Sequence, residues 1–265
     1  MQIQKLAFLA KTTLGLVRQP RAHRTAMVVD EEYSQQWAKQ RAVLDAANSL
    51  DDWFCIPGHD DSEGYANIAG RLERASFDSS RFNRQKILQA LQTFFPQTTS
   101  ITEYGCGIGR NLLFLKRALP HLKIYGYELA QPGVEIARAA AKKFGVEAEY
   151  AQLDYVQSPD EAYVFPTTDV AFTLFSLEQL PETSARALSN IMKRTRLGSI
   201  HLEPVSENYP VTARGLMGRL YQWKQDYLRD FDRVVGESGA RAVHKELVMS
   251  AHNPFMFPTL YVLEK

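Results

Sequence analysis

Three glycines, Gly105, Gly107 and Gly109, stand at alternate positions between an apolar run and a helix-forming run. At such a corner they remove Cβ atoms where the backbone turns tightly, and they let a ligand approach the main chain. An acid, Glu128, follows about 20 residues later, the distance at which a carboxylate accepts hydrogen bonds from the ribose hydroxyls of a nucleoside. Asp154 comes after the next apolar run and is placed to meet a second part of the same ligand. Further on, Ser176, Glu178 and Gln179 follow one strand-like run and Glu203, Glu207 and Asn208 another. Ligand-facing groups of an open sheet lie beyond the carboxyl ends of its strands. These acids, with His201 two residues before Glu203 and so on the same strand face, are the groups that could move a proton.

The elements that must position these residues alternate. A strand at Ile101 leads through the glycines to a helix from Arg110 to Leu119, which Pro120 ends. A strand over Lys123–Leu129 follows, then a helix over Pro132–Phe144 capped by Gly145, and strands at Tyr150 and Val170. A helix over Glu182–Arg194 leads through Gly198 to a fifth strand, Ser199–Pro204. Val211–Phe231 reads as an amphipathic, core-facing helix, and Ala240–Ser250 and Pro258–Glu264 as a final pair of strands. The alternation predicts an α/β chain, a parallel sheet with helices on both faces. Asn253-Pro254-Phe255 between the last two strands is a turn.

Residues 1–80 precede all of this and read as a helical cap. Ile3, Leu6, Ala7, Ala10, Leu14 and Val17 form a helical stripe, with Phe8, Leu9 and Leu16 off it. Lys5, Lys11, Arg18, Arg21 and Arg24 make this stretch basic, with no acid before Asp30. Packing on the body or on a second subunit is the favoured use of this helix; a membrane-surface contact is the alternative. Tyr33, Trp37, Leu44 and Ala47 recur at helical spacing and read as core. Tyr65–Ala75 and Arg81–Phe95 read as two more helices. Before them, His59, Asp60, Asp61 and Glu63 crowd one loop of the cap, where adjacent side chains cannot all turn to one ion, so no metal is expected.

A length of 265 residues suits one large domain or a domain with an appendage. A net charge of +1 gives no global reason to expect nucleic acid or a membrane as partner. Two cysteines, Cys55 and Cys106, exclude a disulfide scaffold and lack metal spacing. No apolar run approaches the roughly 20 residues of a membrane span, and Leu6–Ala10 is too short for a signal-peptide core, which predicts a cytoplasmic protein.

From Arg81 to Lys265 the chain resembles the class I S-adenosylmethionine-dependent methyltransferases. Glu103-Tyr-Gly-Cys-Gly-Ile-Gly109 is similar to that family's first motif, Glu128 to its ribose-binding acid and Asp154 to the acid at the adenine amino group. Ser176-Leu-Glu-Gln-Leu-Pro181 is similar to its post-strand segment, with Gln179 where the family often has histidine. The resemblance implies a Rossmann-like fold: a seven-stranded, mostly parallel sheet with an antiparallel last strand, carried by residues 81–265 under the cap. It implies S-adenosylmethionine as cofactor, held by Glu103, Gly105, Cys106, Gly107, Gly109, Glu128, Leu129, Asp154 and Phe175. A nicotinamide dehydrogenase, the rival with this architecture, needs a small residue where Arg110 stands.

Methyl transfer from a sulfonium is an in-line displacement, so the protein aligns the acceptor and, for a hydroxyl, takes its proton. Glu203, His201 and Glu178 are the candidate bases, and Ser176, Gln179 and Tyr65 the candidate acceptor contacts. The resemblance of Ile200–Val205 and His252–Pro254 to segments of bacterial surface-polysaccharide methyltransferases implies a small-molecule or glycan hydroxyl. An RNA or protein methyltransferase using the basic N-terminus, and a non-catalytic cofactor-binding protein, are the alternatives. The aromatic-rich cap, with Trp37, Trp53, Phe54, Tyr65 and Phe77, is expected to close over the acceptor while the remainder binds the cofactor unaided.

Overall fold

The computed structural model describes residues 2–55 and 64–265. His59, Asp60, Asp61 and Glu63 lie outside the described residues.

From the chain's middle onward the predicted alternation is present. Helix α5 (Ser79–Phe94) leads into β3 (Ser100–Tyr104), α6 (Arg110–Ala118), β4 (Lys123–Glu128), α7 (Gln131–Lys143), β5 (Glu149–Gln152) and β6 (Thr168–Leu174). Then come α8 (Ser184–Lys193), β7 (Thr195–Glu203), α9 (Ala213–Gln225), α10 (Phe231–Ser238), β8 (Arg241–Leu247) and β9 (Thr259–Glu264). Their seven strands form one sheet in the order β5-β4-β3-β6-β7-β9-β8. Strands β3 to β7 pair in parallel, and β9 runs antiparallel to both β7 and β8. The order reverses at β3, so a crevice opens beyond the carboxyl ends of β3 and β6.

The two-residue period of a strand sorts the core into two layers. Val170 and Phe172 of β6, Ile200 and Leu202 of β7, and Leu260 and Val262 of β9 join α5, α6 and α7 on one face. The residues alternating with them, Ala171, Tyr261 and Leu263, join Leu188 and Ile191 of α8 and Val234 of α10 on the other.

Before α5 the chain forms α1 (Gln2–Arg18), α2 (Ala26–Ala38), α3 (Gln40–Ala46) and α4 (Leu50–Phe54). A hairpin, β1 (Gly64–Ile68) with β2 (Arg71–Ala75), then stands where a helix was expected. Its two-residue connection, Ala69-Gly70, has φ of +48° and +77°, the left-handed pair that a tight hairpin turn needs. The hairpin docks on the loop before β9: Asn67 and Ala251 exchange backbone hydrogen bonds, and Gly70 N donates to Met249 O. The helix expected over Val211–Phe231 ends at Gln225, because Asp226 and Asp230 take left-handed φ of +55° and +56°, and α10 begins only at Phe231. Aspartate tolerates that conformation.

Helix α1 packs on α9 with the opposite side from the predicted stripe. Leu16 is buried and Thr13 Oγ1 lies 3.4 Å from Met217 Sδ, whereas Leu14 and Val17 are about half exposed. Several basic residues of this stretch have internal partners: Lys5 with Glu73, Arg21 with Asp226, and Arg24 with Glu32. Leu44, Ala47, Trp53 and Phe54 belong to the same apolar layer as α5 and α6.

Candidate functional site

The loop after β3 is held by the strand beside it. Gly105 N and Cys106 N both donate to Tyr127 O of β4, at 2.8 and 2.9 Å. The next residue of β4, Glu128, accepts from Gly107 N at 2.7 Å and from Ala130 N at 3.1 Å. Gly105 and Gly107 have φ of +75° and +53°. A Cβ on Gly105 would lie 2.0 Å from Ser176 Oγ, and one on Gly107 would lie 2.9 Å from the Trp37 ring. The bare backbone is therefore required where the loop meets β6 and the cap. Gly109 serves packing instead: a Cβ there would strike Tyr150 and Ala137, and the residue is absent from the cavity wall.

Above this loop lies a cavity of ≈ 680 Å³, walled by the carboxyl ends of β3 to β6 and by the cap. Glu128, Leu129, Asp154, Phe175, Ser176, Glu178 and Gln179 all line it, with Gly105, Cys106 and Gly107. Asp154 is set by a local turn, its Oδ1 accepting from Val156 N and Gln157 N at 2.9 and 3.1 Å. Burial pushes the Glu128 carboxyl above its usual range, against the two backbone donors that favour its charge. Phe175 leaves β6 with φ +54°, a costly backbone for an aromatic residue, while its N–H donates to Leu202 O.

Besides Gly109, four expected site residues do not reach the cavity. Glu103 lies beneath the loop, fully buried, with Oε1 accepting from Asn111 Nδ2 at 2.7 Å and Oε2 without a hydrogen bond. Burial raises its carboxyl to about 8, and Asn111, not Glu103, lines the wall. His201 is enclosed between Thr173 Oγ1 at 2.8 Å and Ser199 Oγ at 2.7 Å. Burial lowers its pKa to about 3, so it is a neutral core imidazole and not a base facing the acceptor. Glu203 is fully buried and its carboxylate is occupied by Thr173 Oγ1 and by the backbone amides of Ser176, Leu177 and Glu178. Tyr65, on the hairpin, packs against Phe8 with ring centroids 4.4 Å apart. Beyond β7, Glu207 accepts from Phe231 N and Asn208 donates to Tyr261 Oη, so both serve structure.

Of the three candidate bases Glu178 alone faces the cavity. It is 5% exposed; Oε1 accepts from Gln179 Nε2 at 2.7 Å and Oε2 has no hydrogen bond. Burial, then the nearby Glu203, push its carboxyl well above the usual range.

The cap supplies wall residues that periodicity assigned to the core. Trp37 and Tyr33 of α2 stack 5.5 Å apart on the cavity wall. Their helical spacing with Leu44 concealed this, because a side chain covering a ligand site and one covering core obey the same period. Asn83 and Arg84 of α5, Tyr155, and His252 of the loop before β9 line it too. Tyr155, whose Oη lies 2.9 Å from Ser176 Oγ, had a signal in sequence as the neighbour of Asp154.

A family model for a methyltransferase domain matches residues 101–198, the span from β3 into β7 that builds the glycine loop, Glu128, Asp154 and Glu178. The chain carries a class I S-adenosylmethionine-dependent methyltransferase domain. The cofactor is S-adenosylmethionine, and the bare Gly105–Gly107 backbone, with Glu128 and Asp154 beside it, forms a cradle that fits a nucleoside joined to an amino acid. No curated protein matches the chain in sequence. Solved structures share its fold. The [4+2]-cyclase SpnF is 16% identical, with a TM-score of 0.62, over 93% of this chain and 98% of its own. A geranyl diphosphate methyltransferase in complex with GPP and sinefungin is 12% identical, with 0.59, over 89% and 98%. The N-methyltransferase NodS from Bradyrhizobium japonicum WM9 is 13% identical, with 0.56, over 88% and 98%. Identities this low carry the architecture and nothing of the acceptor. Among the described residues no group of three or more His, Cys, Asp or Glu side chains could hold a metal ion. No described helix is long and apolar enough to cross a membrane.

Proposed function

We propose that this methyltransferase acts on a hydroxyl of a small-molecule or glycan acceptor, with Glu178 as the base. When bound, S-adenosylmethionine supplies a sulfonium-activated methyl group. An alcohol oxygen is a weak nucleophile until its proton is drawn away, so a basic group must stand at the acceptor. The observation that carries this reading is Glu178 itself: at the cavity wall, one of its buried carboxyl oxygens accepts from Gln179 and the other has no hydrogen bond within the protein. Its raised pKa makes the ionised form a stronger proton acceptor than an exposed glutamate. With the Gly105–Gly107 backbone, Glu128 and Asp154 holding the cofactor, Glu178 would take the proton of a hydroxyl placed at the methyl group.

The cavity's size supports a small acceptor or a single sugar residue. Against a nucleic-acid substrate stand the ion pairs of Lys5, Arg21 and Arg24, which use basic charge within the molecule. A cytoplasmic setting, where S-adenosylmethionine is made, suits this reading. The test is transfer of labelled methyl from S-adenosylmethionine to pools of hydroxylated metabolites and glycans, by the wild-type protein and by Glu178→Gln. A methylated alcohol formed by the wild type and lost in the variant, with S-adenosylhomocysteine binding retained, is expected. Methylation of an amine or of RNA, or undiminished turnover in the variant, would overturn the reading.

A further inference from the structure

Glu203 carries no acceptor contact, yet its surroundings are those of a working group. It ends β7, whose partner β6 stops at Leu174, and between the two strands the chain makes a short turn through Ser176, Leu177 and Glu178. Three successive amides of that turn point at one carboxylate: Ser176 N and Leu177 N lie 3.2 Å from Oε1, and Glu178 N lies 3.1 Å from Oε2. Such a concave row of N–H groups is an anion-binding nest. Thr173 Oγ1 adds a fourth donor at 2.7 Å. With that hydroxyl proton given to Glu203, His201 Nδ1–H donates to Thr173 and His201 Nε2 accepts from Ser199, so the chain Ser199–His201–Thr173–Glu203 runs one way through the sheet. All four donors are satisfied by a carboxylate; a protonated carboxyl would set its own O–H against one of them. The same turn carries Ser176, Glu178 and Gln179 to the cavity and follows Phe175 in its left-handed conformation.

We infer that Glu203 is a positioning residue: its buried carboxylate clamps the Ser176–Glu178 turn and, by its charge beside Glu178, governs when Glu178 can hold or release a proton at the acceptor. This rests on the assignment of Glu178 to the acceptor. The groups facing Glu178 come from several elements: Glu203 from β7, Arg24 from the segment before α2, Tyr33 from α2, and Tyr209, Tyr221 and Tyr227 from around α9. Arg24 opposes the effect of Glu203, and burial keeps those tyrosines neutral. His201 behind Thr173 is neutral too, which leaves Glu203 and Arg24 as the charges that matter.

The test needs no acceptor. The full chain, isotope-labelled at glutamate carboxyl carbons, is titrated by nuclear magnetic resonance. Several resonances should titrate above the ordinary carboxylate range, those of Glu103, Glu128 and Glu203 among them; one more should do so, vanish in Glu178→Gln and move to lower pH in Glu203→Gln. In Glu203→Asp, which keeps the charge, it should stay nearer its wild-type position. In the wild type, needing no variant to fold, the amide protons of Ser176, Leu177 and Glu178 should shift together with a midpoint matching the Glu203 carboxyl, near 7. A Glu178 resonance unmoved by Glu203→Gln, or amide protons indifferent to the Glu203 titration, overturns the inference while leaving Glu178 in place. If Glu178→Gln removes no high-titrating resonance, the assignment of Glu178 is overturned instead.

Discussion

Glu128 joins two duties, since the carboxylate that faces the cavity also holds Gly107 N. Glu128→Ala should weaken S-adenosylhomocysteine binding by about 1.5–3 kcal/mol, the value of a hydrogen bond to a charged group with its desolvation, as read by calorimetry. Unchanged affinity in a folded variant would place the ribose elsewhere. Glu103 makes a prediction about pH. Its carboxyl is raised to about 8 by burial, so the folded state keeps a proton that the unfolded chain releases. Below the ordinary carboxylate range both states are protonated and its contribution is intact; as pH rises towards 8 that contribution is lost. Glu103→Gln cannot lose the proton, so its Tm should fall less between acid and mildly alkaline pH than the wild type's. Equal slopes would mean that Glu103 is ionised in the folded protein.

At the scale of elements, the site is a set of contacts between neighbouring loops. The β3 loop meets the β6 turn where Gly105 faces Ser176, so Gly105→Ala sets a Cβ into Ser176 Oγ and forces alanine to φ +75°. Backbone strain of this kind costs about 1–3 kcal/mol, and the variant should show a lower Tm together with lost cofactor binding. A variant that binds S-adenosylhomocysteine normally would show that the loop can relax. The hairpin of residues 64–75 teaches a different lesson. Its apolar residues do not alternate cleanly, and what sets it is the Ala69–Gly70 turn and the bonds from Asn67 and Gly70 to the loop before β9.

For the whole molecule, the cap is not a lid resting on a finished domain. Trp53 is fully buried beneath the Arg110 guanidinium, 4.3 Å from ring centroid to Cζ, and shares its apolar layer with Leu91 and Leu112. Trp53→Ala should cost about 3–5 kcal/mol in denaturant unfolding, as large core truncations do. A chain beginning at Ser79 would expose that layer and lose Trp37 from above Gly107. It should therefore fail to fold stably or to bind S-adenosylhomocysteine, contrary to the expectation that the cofactor half stands alone. A soluble, cofactor-binding fragment would restore that expectation.

The amino-acid sequence determined what depends on local order. The apolar runs that become β3 to β7, the glycines between Tyr104 and Arg110, and the acids at the end of β4 and just after β5 place the cofactor cradle, because a strand, a turn and a helix N-terminus are set by neighbours in the chain. Tertiary structure decided which acids face the cavity. Glu178 and Glu203 are both carboxylates beyond strand ends, yet one meets the acceptor space and the other is consumed by amides from a turn far from it in sequence. That distinction rests on which donors a carboxylate finds across the sheet, and so on the pairing of β6 with β7. The same holds for Trp37, whose helical spacing fits core and cavity wall alike until α2 lies against α7 and the glycine loop.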